Sequence, residues 1–467
     1  MIELSKDIVQ ILTPQQAWHY NIVPENHDNQ SITFLVDENF DVQTKDELEL
    51  FFGKNIQVEQ TRKEDLRALL TKYYRTEKKN NNEEFKVDND FLSSLIAEAK
   101  SLGSSDIHIE VYDEKCRIRI RIDGKLADRY NVPKMEYPTL INKIKIKANL
   151  DIAEKRLPQD GRIFFNESGM KFDIRVSVLP TLHGEKVVLR LLNNDATNIS
   201  IERLGFKEEE QKIYLEGVRK PHGIILISGP TGSGKTTTLY ATLKLLNKET
   251  TNIVTIEDPI EYTLEGINQV QLKESIGLNF GAAMRTFLRQ DPDVIMVGEI
   301  RDPDTANMAI RASLTGHLVL STIHTNSAWG SVSRLVDMGV PAYLVSNTLN
   351  MTIAQRLVRK LCEHCKKKEA FDPQLLPLRY APPKKVTEHY TATGCEHCHY
   401  TGYSGRVAVY EVIPLDMELS DEIKKQNFDV NDRLKERGIS TISDNAFDLF
   451  EKGISSIEEV YPLLINF

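Results

Sequence analysis

The sequence is short of several things, and each shortage narrows what the chain can be. No apolar run approaches the ~20 residues that a helix needs to cross a bilayer. The longest, such as residues 224–227 and 294–297, have the length of strands. The opening Met1-Ile2-Glu3-Leu4-Ser5-Lys6-Asp7 lacks a basic region followed by an apolar core, so no secretory leader is expected. Basic charge is not in excess. The formal net charge is -9, which argues against nucleic acid as the main ligand while leaving room for a local basic pore. Cysteine is scarce. Four of the five form two C-x-x-C pairs, a spacing that in a reducing compartment suggests metal rather than disulfides. The fifth, Cys116, sits in a strand pattern and is expected in a core. There is no long internal repeat. Together these absences predict a cytoplasmic protein that reaches any membrane through a partner.

What is present is enough apolar material, 40% of residues, for more than one core. Residues 1–76 read as a small mixed domain, with a strand at Ile32-Thr33-Phe34-Leu35-Val36 and a helix at Leu66-Arg67-Ala68-Leu69-Leu70. Residues 77–90, including Lys78-Lys79-Asn80-Asn81-Asn82-Glu83-Glu84, have no apolar period and read as a linker. In residues 91–198 a helical stretch precedes strict alternation. Ile107, Ile109 and Val111 alternate with His108 and Glu110, and Ile118, Ile120 and Ile122 with Arg117, Arg119 and Arg121. The arginine row fits a solvated sheet face better than a nucleic-acid patch. A polar run at 193–198 closes this segment. Across residues 199–360 short apolar strands alternate with helical stretches, which implies βαβ units and a mostly parallel sheet. Residues 361–406 hold the cysteine pairs, and 407–467 read as mainly helical.

The strongest local signal is Gly229-Pro230-Thr231-Gly232-Ser233-Gly234-Lys235-Thr236, a complete G-x-x-x-x-G-K-[ST] between a strand and a helix. Glycines let backbone N–H groups curl around phosphate oxygens, and the helix N-terminus adds positive potential. Lys235 is expected to reach the β- and γ-phosphates, and the Thr236 hydroxyl to ligate Mg²⁺. Hydrolysis also needs acids that hold the metal and orient water. Two clusters offer them: Glu257, Asp258 and Glu261 after one strand, and Glu299 after another, where Gly298 takes the place at which an Asp more often ends the strand. Glu261 reads equally as a solvated helix-start residue. In the stretch from Gly316 to Asn326, His317 and His324 bracket a strand and are candidates for sensing the γ-phosphate.

These stretches, taken together, resemble the secretion ATPases that drive type II secretion and type IV pilus assembly. Besides the nucleotide motif, the chain has their acidic box around Glu257-Asp258, their Gly298-Glu299-Ile300-Arg301-Asp302 and their His324-Thr325-Asn326. Arg156-Leu157-Pro158-Gln159-Asp160-Gly161-Arg162 and the run from Gly184 to Arg190 lie upstream. Ala354-Gln355-Arg356-Leu357-Val358 and Thr401-Gly402-Tyr403-Ser404-Gly405-Arg406 lie downstream. The resemblance covers residues 90–467. It implies an α/β fold: a RecA-like P-loop ATPase core, a smaller PAS-like α+β domain, a zinc-binding element and a short N-terminal domain. It also implies a homohexamer in which ATP sits between the two larger domains. Arg162 and Arg175, and Arg285 and Arg289, would reach the nucleotide from both domains and from neighbouring subunits, with Arg285 and Arg289 sharing one helix face at i, i+4. Glu299 would serve as a magnesium ligand as well as a catalytic acid. The first domain only loosely resembles the family's N-terminal module. It lacks the repeated leucine-and-arginine pattern that accompanies cyclic-di-GMP binding in some members, and its expected role is partner docking.

Cys362-Glu363-His364-Cys365 and Cys395-Glu396-His397-Cys398 stand 29 residues apart. Four thiolates in two knuckles favour a closed, structural Zn²⁺ site, with His364, His397 and His399 outside it. Redox cysteines are the alternative. The expected function is an ATPase motor, attached peripherally to the inner face of the cytoplasmic membrane through a polytopic inner-membrane platform protein. A membrane adaptor acting through its cytoplasmic domain is a further candidate partner, and no direct nucleic acid is expected. The competing readings are a RecA-like nucleic-acid translocase and a nucleotide-gated scaffold without turnover.

Overall fold

The computed structural model describes residues 8, 11–12, 16–17, 20–28, 31–38, 40, 42–74, 91–167, 169–192 and 199–465. The expected linker at 77–90, the polar run at 193–198 and the opening seven residues lie outside these. The chain divides into two compact units, Met1–Lys86 and Val87–Phe467.

Among the described residues, the first unit holds a three-stranded sheet and two helices described end to end. β1 (Val23–His27) pairs antiparallel with β2 (Ser31–Val36), and β2 pairs parallel with β3 (Asn55–Gln60). The parallel pair needs a crossover, which α1 (Val42–Phe52) supplies, and α2 (Lys63–Tyr73) follows. Ile32, Phe34, Leu48, Ile56, Leu66 and Leu70 close the core.

The second unit opens with α3 (Phe91–Ser101), β4 (Asp106–Val111), β5 (Cys116–Ile122), β6 (Lys125–Val132), α4 (Tyr137–Lys147), β7 (Gln159–Glu167), β8 (Met170–Thr181) and β9 (Gly184–Leu191). The strands form one antiparallel sheet in the order β6-β5-β4-β9-β8-β7. Alternation does its usual work: Ile107, Ile109, Ile118, Ile120, Val187 and Leu189 are buried, as is Cys116. The arginine row lies on the other face and is neutralised there. Arg117, Arg119 and Lys186 all meet the buried Glu110, at 3.1, 2.8 and 3.0 Å, and Arg121 and Arg190 meet Asp106.

The larger sheet follows. Its elements are α5 (Glu208–Val218), β10 (Gly223–Ser228), α6 (Lys235–Leu246), β11 (Ile253–Glu257), β12 (Asn268–Gln271), α7 (Phe280–Phe287), β13 (Val294–Val297), α8 (Pro303–Leu314), β14 (Leu318–Ile323), α9 (Gly330–Asp337), α10 (Ala342–Thr348) and β15 (Leu349–Leu361). After a small hairpin of β16 (Lys367–Ala370) and β17 (Glu388–Thr391), β18 (Tyr403–Pro414) returns to pair antiparallel with β15. Strand order is β12-β11-β13-β14-β10-β15-β18, parallel except at that last edge. Both faces are covered, which is why β10 is apolar without alternation. Ile224 and Leu226 enter one core, Ile225 and Ile227 the other. The chain ends in α11 (Met417–Lys424), α12 (Asn431–Glu436), α13 (Ile442–Glu451) and α14 (Ile457–Leu464).

One boundary differs from the sequence reading. The division at residues 406 and 407 falls inside β18, so the sheet of the core extends through Pro414 and the cysteine element is an excursion between its last two strands. No helix among the described residues is long and apolar enough to cross a membrane.

Candidate functional site: a phosphate loop faced by acids

Parallel sheets bind ligands beyond the carboxyl ends of their strands. At that edge β10 runs into the loop 229–234 and then α6. Gly229 has φ 146°, and a Cβ there would stand 2.5 Å from the Gln355 carbonyl oxygen, so only glycine lets the loop pack against β15. Lys235 Nζ donates to the carbonyls of Gly229 and Pro230, at 2.8 and 2.9 Å, which holds the ammonium over the loop. Burial pulls the Lys235 pKa below its usual value, the Glu299 carboxylate opposes that, and the Arg356 guanidinium adds to it. Thr236 is exposed on the first turn of the helix.

Glu299 comes two residues after β13, and Glu257 is the last residue of the neighbouring β11. Their surroundings differ. Glu257 is 3% exposed and is engaged by three donors: the Tyr240 hydroxyl on Oε2, and Thr255 Oγ1 at 2.6 Å and Gln269 Nε2 at 3.0 Å on Oε1. Glu299 pairs with Arg301 through Oε1. Its Oε2 lies 3.4 Å from His324 Nε2 but, in that geometry, has no hydrogen-bond partner among the described residues. The Ser233 hydroxyl in the phosphate loop is likewise buried without a partner. Such orphans carry a cost unless something arrives to satisfy them. A phosphate with its Mg²⁺ fits both: an anion for the Ser233 O–H, a cation for the Glu299 oxygen. Asp258 is exposed and lies within electrostatic reach of Arg301.

His324 directly follows β14 and faces Glu299, whereas His317 precedes the same strand. Six residues of extended chain put His317 at the wrong edge of the sheet, where its Nδ1 lies 2.8 Å from the Ala312 carbonyl oxygen. Glu261 starts no helix; its Oε2 is 3.5 Å from an Arg175 nitrogen.

Arg162 and Arg175 are directly opposed on β7 and β8. They line a cavity of about 610 Å³ with Asp160, Arg190 and Pro259 of the acidic box. Arg175 also donates to the Ile260 carbonyl at 2.8 Å. Among the described residues, no hydrogen bond or ion pair links either arginine to Lys235 or Thr236 within the chain. Arg285 is exposed in the last turn of α7. Arg289 does not share its helix face, because the helix ends at Phe287; instead Arg289 donates back to the Arg285 carbonyl at 2.8 Å and caps that end. Arg301, the partner of Glu299, stands two residues after it in the same motif, where nothing local in the sequence marks it for a role.

The four cysteines converge from residues 362–365 and 395–398. Their sulfur atoms lie within 4.8 Å of one another, with Cys362–Cys395 at 3.8 Å and Cys365–Cys398 and Cys395–Cys398 at 3.7 Å. A tetrahedron with metal–sulfur bonds of about 2.3 Å has edges of about 3.8 Å, whereas a disulfide would bring two sulfurs to about 2.05 Å. The geometry therefore suits one tetrahedral ion. His364 and His397 stack on each other, with ring centroids 4.0 Å apart, and stay out of the cluster.

A phosphate loop on a parallel sheet, with an acid near its lysine and a histidine beside that acid, defines the class: a P-loop ATPase with a RecA-like core and a smaller PAS-like α+β domain. Comparison with known proteins narrows this. Residues 81–462 match the family described as Type II/IV secretion system protein, and the chain belongs to that family. It is 46% identical over 372 residues to the type II secretion system protein E of Pseudomonas aeruginosa, covering 79% of this chain and 74% of that one. It is 41% identical over 442 residues to the type IV pilus assembly ATPase PilB of Myxococcus xanthus, covering 88% and 78%. Among solved structures it is similar to the pilus retraction motor PilT with bound ADP, at 26% identity and a TM-score of 0.55 over 82% of this chain and 98% of that one. The Legionella pneumophila ATPase DotB, at 23% identity, shares the fold with a TM-score of 0.62 over 83% and 98%. Residues 2–80 match the MshEN domain, so the first unit is a recognised module and not the loose relative that its sequence suggested.

Proposed function

We propose that the chain is the ATP-hydrolysing subunit of a hexameric motor that powers type II secretion or the assembly of a type IV pilus or pseudopilus. It would work from the cytoplasmic side on a polytopic inner-membrane platform protein. The observation that carries this reading is a phosphate loop whose Lys235 lies within electrostatic reach of Glu299, with His324 3.4 Å from the same carboxylate. The loop amides and Lys235 bind and orient the triphosphate. Thr236 and Glu299 would hold Mg²⁺, whose chemistry there would be charge neutralisation at the triphosphate. Glu299 is better placed than Glu257 to orient the attacking water, since Glu257 is committed to three donors that brace the acidic box. Asp258 adds negative charge at the same edge, and His324, beside Glu299, would donate to the γ-phosphate. Arg162 and Arg175, with Arg285 and Arg289, are assigned to shared sites between subunits, where a guanidinium can grip phosphate oxygens with paired donors. Zn²⁺ in the four-thiolate site would be structural, because four protein ligands leave no open position.

The test is Lys235→Ala. It is expected to abolish ATP turnover with thermal unfolding unchanged; near wild-type turnover would remove the site assignment. Wild-type specific activity should climb with protein concentration as rings form. Full activity in a dilute monomer would refute the hexamer, and steep, salt-sensitive stimulation by DNA would favour the translocase reading.

A further inference from the structure

The strand that backs the phosphate loop carries two residues without an assigned role, Gln355 and Arg356. β15 runs parallel to β10 with Ala354 opposite Ser228, so the next two residues sit behind the loop. Being consecutive in a strand, they point to opposite faces. The Gln355 carboxamide accepts from Thr238 Oγ1 at 2.9 Å and steadies the first turn of α6. Arg356 reaches the other way. One of its terminal nitrogens lies 3.0 Å from where a Gly229 Cβ would stand and donates to the Gln355 carbonyl at 3.0 Å. The other donates to the Asn326 carbonyl at 2.7 Å. Asn326 is two residues past His324. One planar guanidinium thus bonds β15 where that strand backs Gly229 of the phosphate loop and, through its other nitrogen, the loop that presents His324 to Glu299.

Charge distinguishes this from an ordinary brace. Neutral donors could make the same bonds to two carbonyls, yet Arg356 brings a second cation within electrostatic reach of Lys235, in a partly desolvated place. Its anionic neighbour in the chain is Glu411, one diagonal step away on β18. The Glu411 oxygens are already occupied by the amides of Ala328, at 2.9 Å, and Ile442, at 3.1 Å. A polyphosphate is the anion that this second cation best serves.

We propose that Arg356 is a positioning residue for ATP hydrolysis, holding the His324 loop in register with the phosphate loop while its charge reinforces that of Lys235. The proposal rests on the P-loop being the ATP site. Arg356→Gln keeps donors and removes the charge and the span between β15 and the His324 loop. It is expected to unfold at the wild-type temperature and to bind ADP within threefold of wild type. Its kcat should fall at least tenfold, with KM for ATP changing less than threefold. A kcat within twofold of wild type would overturn the proposal. So would a fall in kcat matched by an equal loss of ADP affinity and a lower unfolding temperature, which would mark a fold brace only. If the glutamine chain does not fold, Arg356→Lys decides. A single ammonium cannot reproduce the planar two-nitrogen span from β15 to the His324 loop, so wild-type kcat in that chain refutes the idea, and a reduced kcat with ADP binding intact supports it. Lys235→Ala, measured alongside, separates the two levels. Its continued turnover would sink the nucleotide-site reading itself, whatever Arg356 does.

Discussion

Replacing Glu110 by glutamine tests the electrostatic reading of the small sheet. The carboxylate is buried, and burial alone would push its pKa up. Hydrogen bonds and charge from Arg119 and Lys186 outweigh that and hold it at about 2, against 4.5 for a free glutamate. That gap corresponds to about 3 kcal/mol of stabilisation. Arg117, Arg119 and Lys186 are 32, 23 and 34% exposed, so solvent screening trims the net to about 2 kcal/mol. In a unit of this size each kcal/mol moves the unfolding temperature by roughly 2 °C, so the variant should melt about 4 °C lower at pH 7. Because the folded pKa is depressed, the contribution is fully present above about pH 4.5 and fades as pH falls toward about 2. The difference between the two proteins, followed by scanning calorimetry, should shrink across that interval. Glutamine also leaves Arg119 and Lys186 without that anion, while Arg117 keeps Asp128, so the variant should bind single-stranded DNA more tightly than the wild type, in a salt-sensitive manner. Equal unfolding temperatures at pH 7, or a gap that persists at pH 2.5, would refute the account.

Glu299→Gln should retain ATP binding and lose at least 90% of turnover, since the swap keeps shape and removes the charge beside Lys235; full activity would transfer the role elsewhere. Protein purified without chelator should carry about one zinc per chain by metal analysis, and Cys362→Ser with Cys365→Ser should carry none; zinc-free wild-type protein would reject the site. Arg162→Ala should bind ATP but turn over on the order of a hundredfold more slowly. Mixing it with Lys235→Ala chains should partly restore activity if the arginine acts on a neighbour's site, and mixtures no better than either parent would place it in its own chain or nowhere.

The phosphate loop was legible because its chemistry admits few residues at each place. The cysteine cluster was legible because metal geometry dictates spacing. Other features depend on what the chain meets after folding. Glu257 and Glu299 look equivalent in sequence, and only the arrival of Tyr240 and Gln269, from a helix and an edge strand, separates them. The pairing of Arg285 with Arg289 assumed that the helix continues. It stops before Asp291, which has φ 50° and precedes Pro292, a dipeptide that could have signalled the end. His317 stood as a second candidate behind His324 because bracketing a strand is nearly symmetrical in sequence, while a parallel sheet has one functional edge. β18 was missed because nothing local announces that a strand will pair with another across an excursion that carries its own metal site.

That excursion has the anatomy of a removable cassette. Leu361 and Tyr403 are register partners, so the chain leaves the sheet and re-enters it at the same point. A tight turn joining them would preserve every strand of the ATPase sheet, the Gln355 and Arg356 contacts included. What would change is the surface beneath. Tyr380 packs on Phe447 and Phe371 on Phe450, two fully buried aromatic rings of α13. A lineage could discard the metal-binding segment without redesigning the engine, provided that it also made the newly uncovered side of that helix polar.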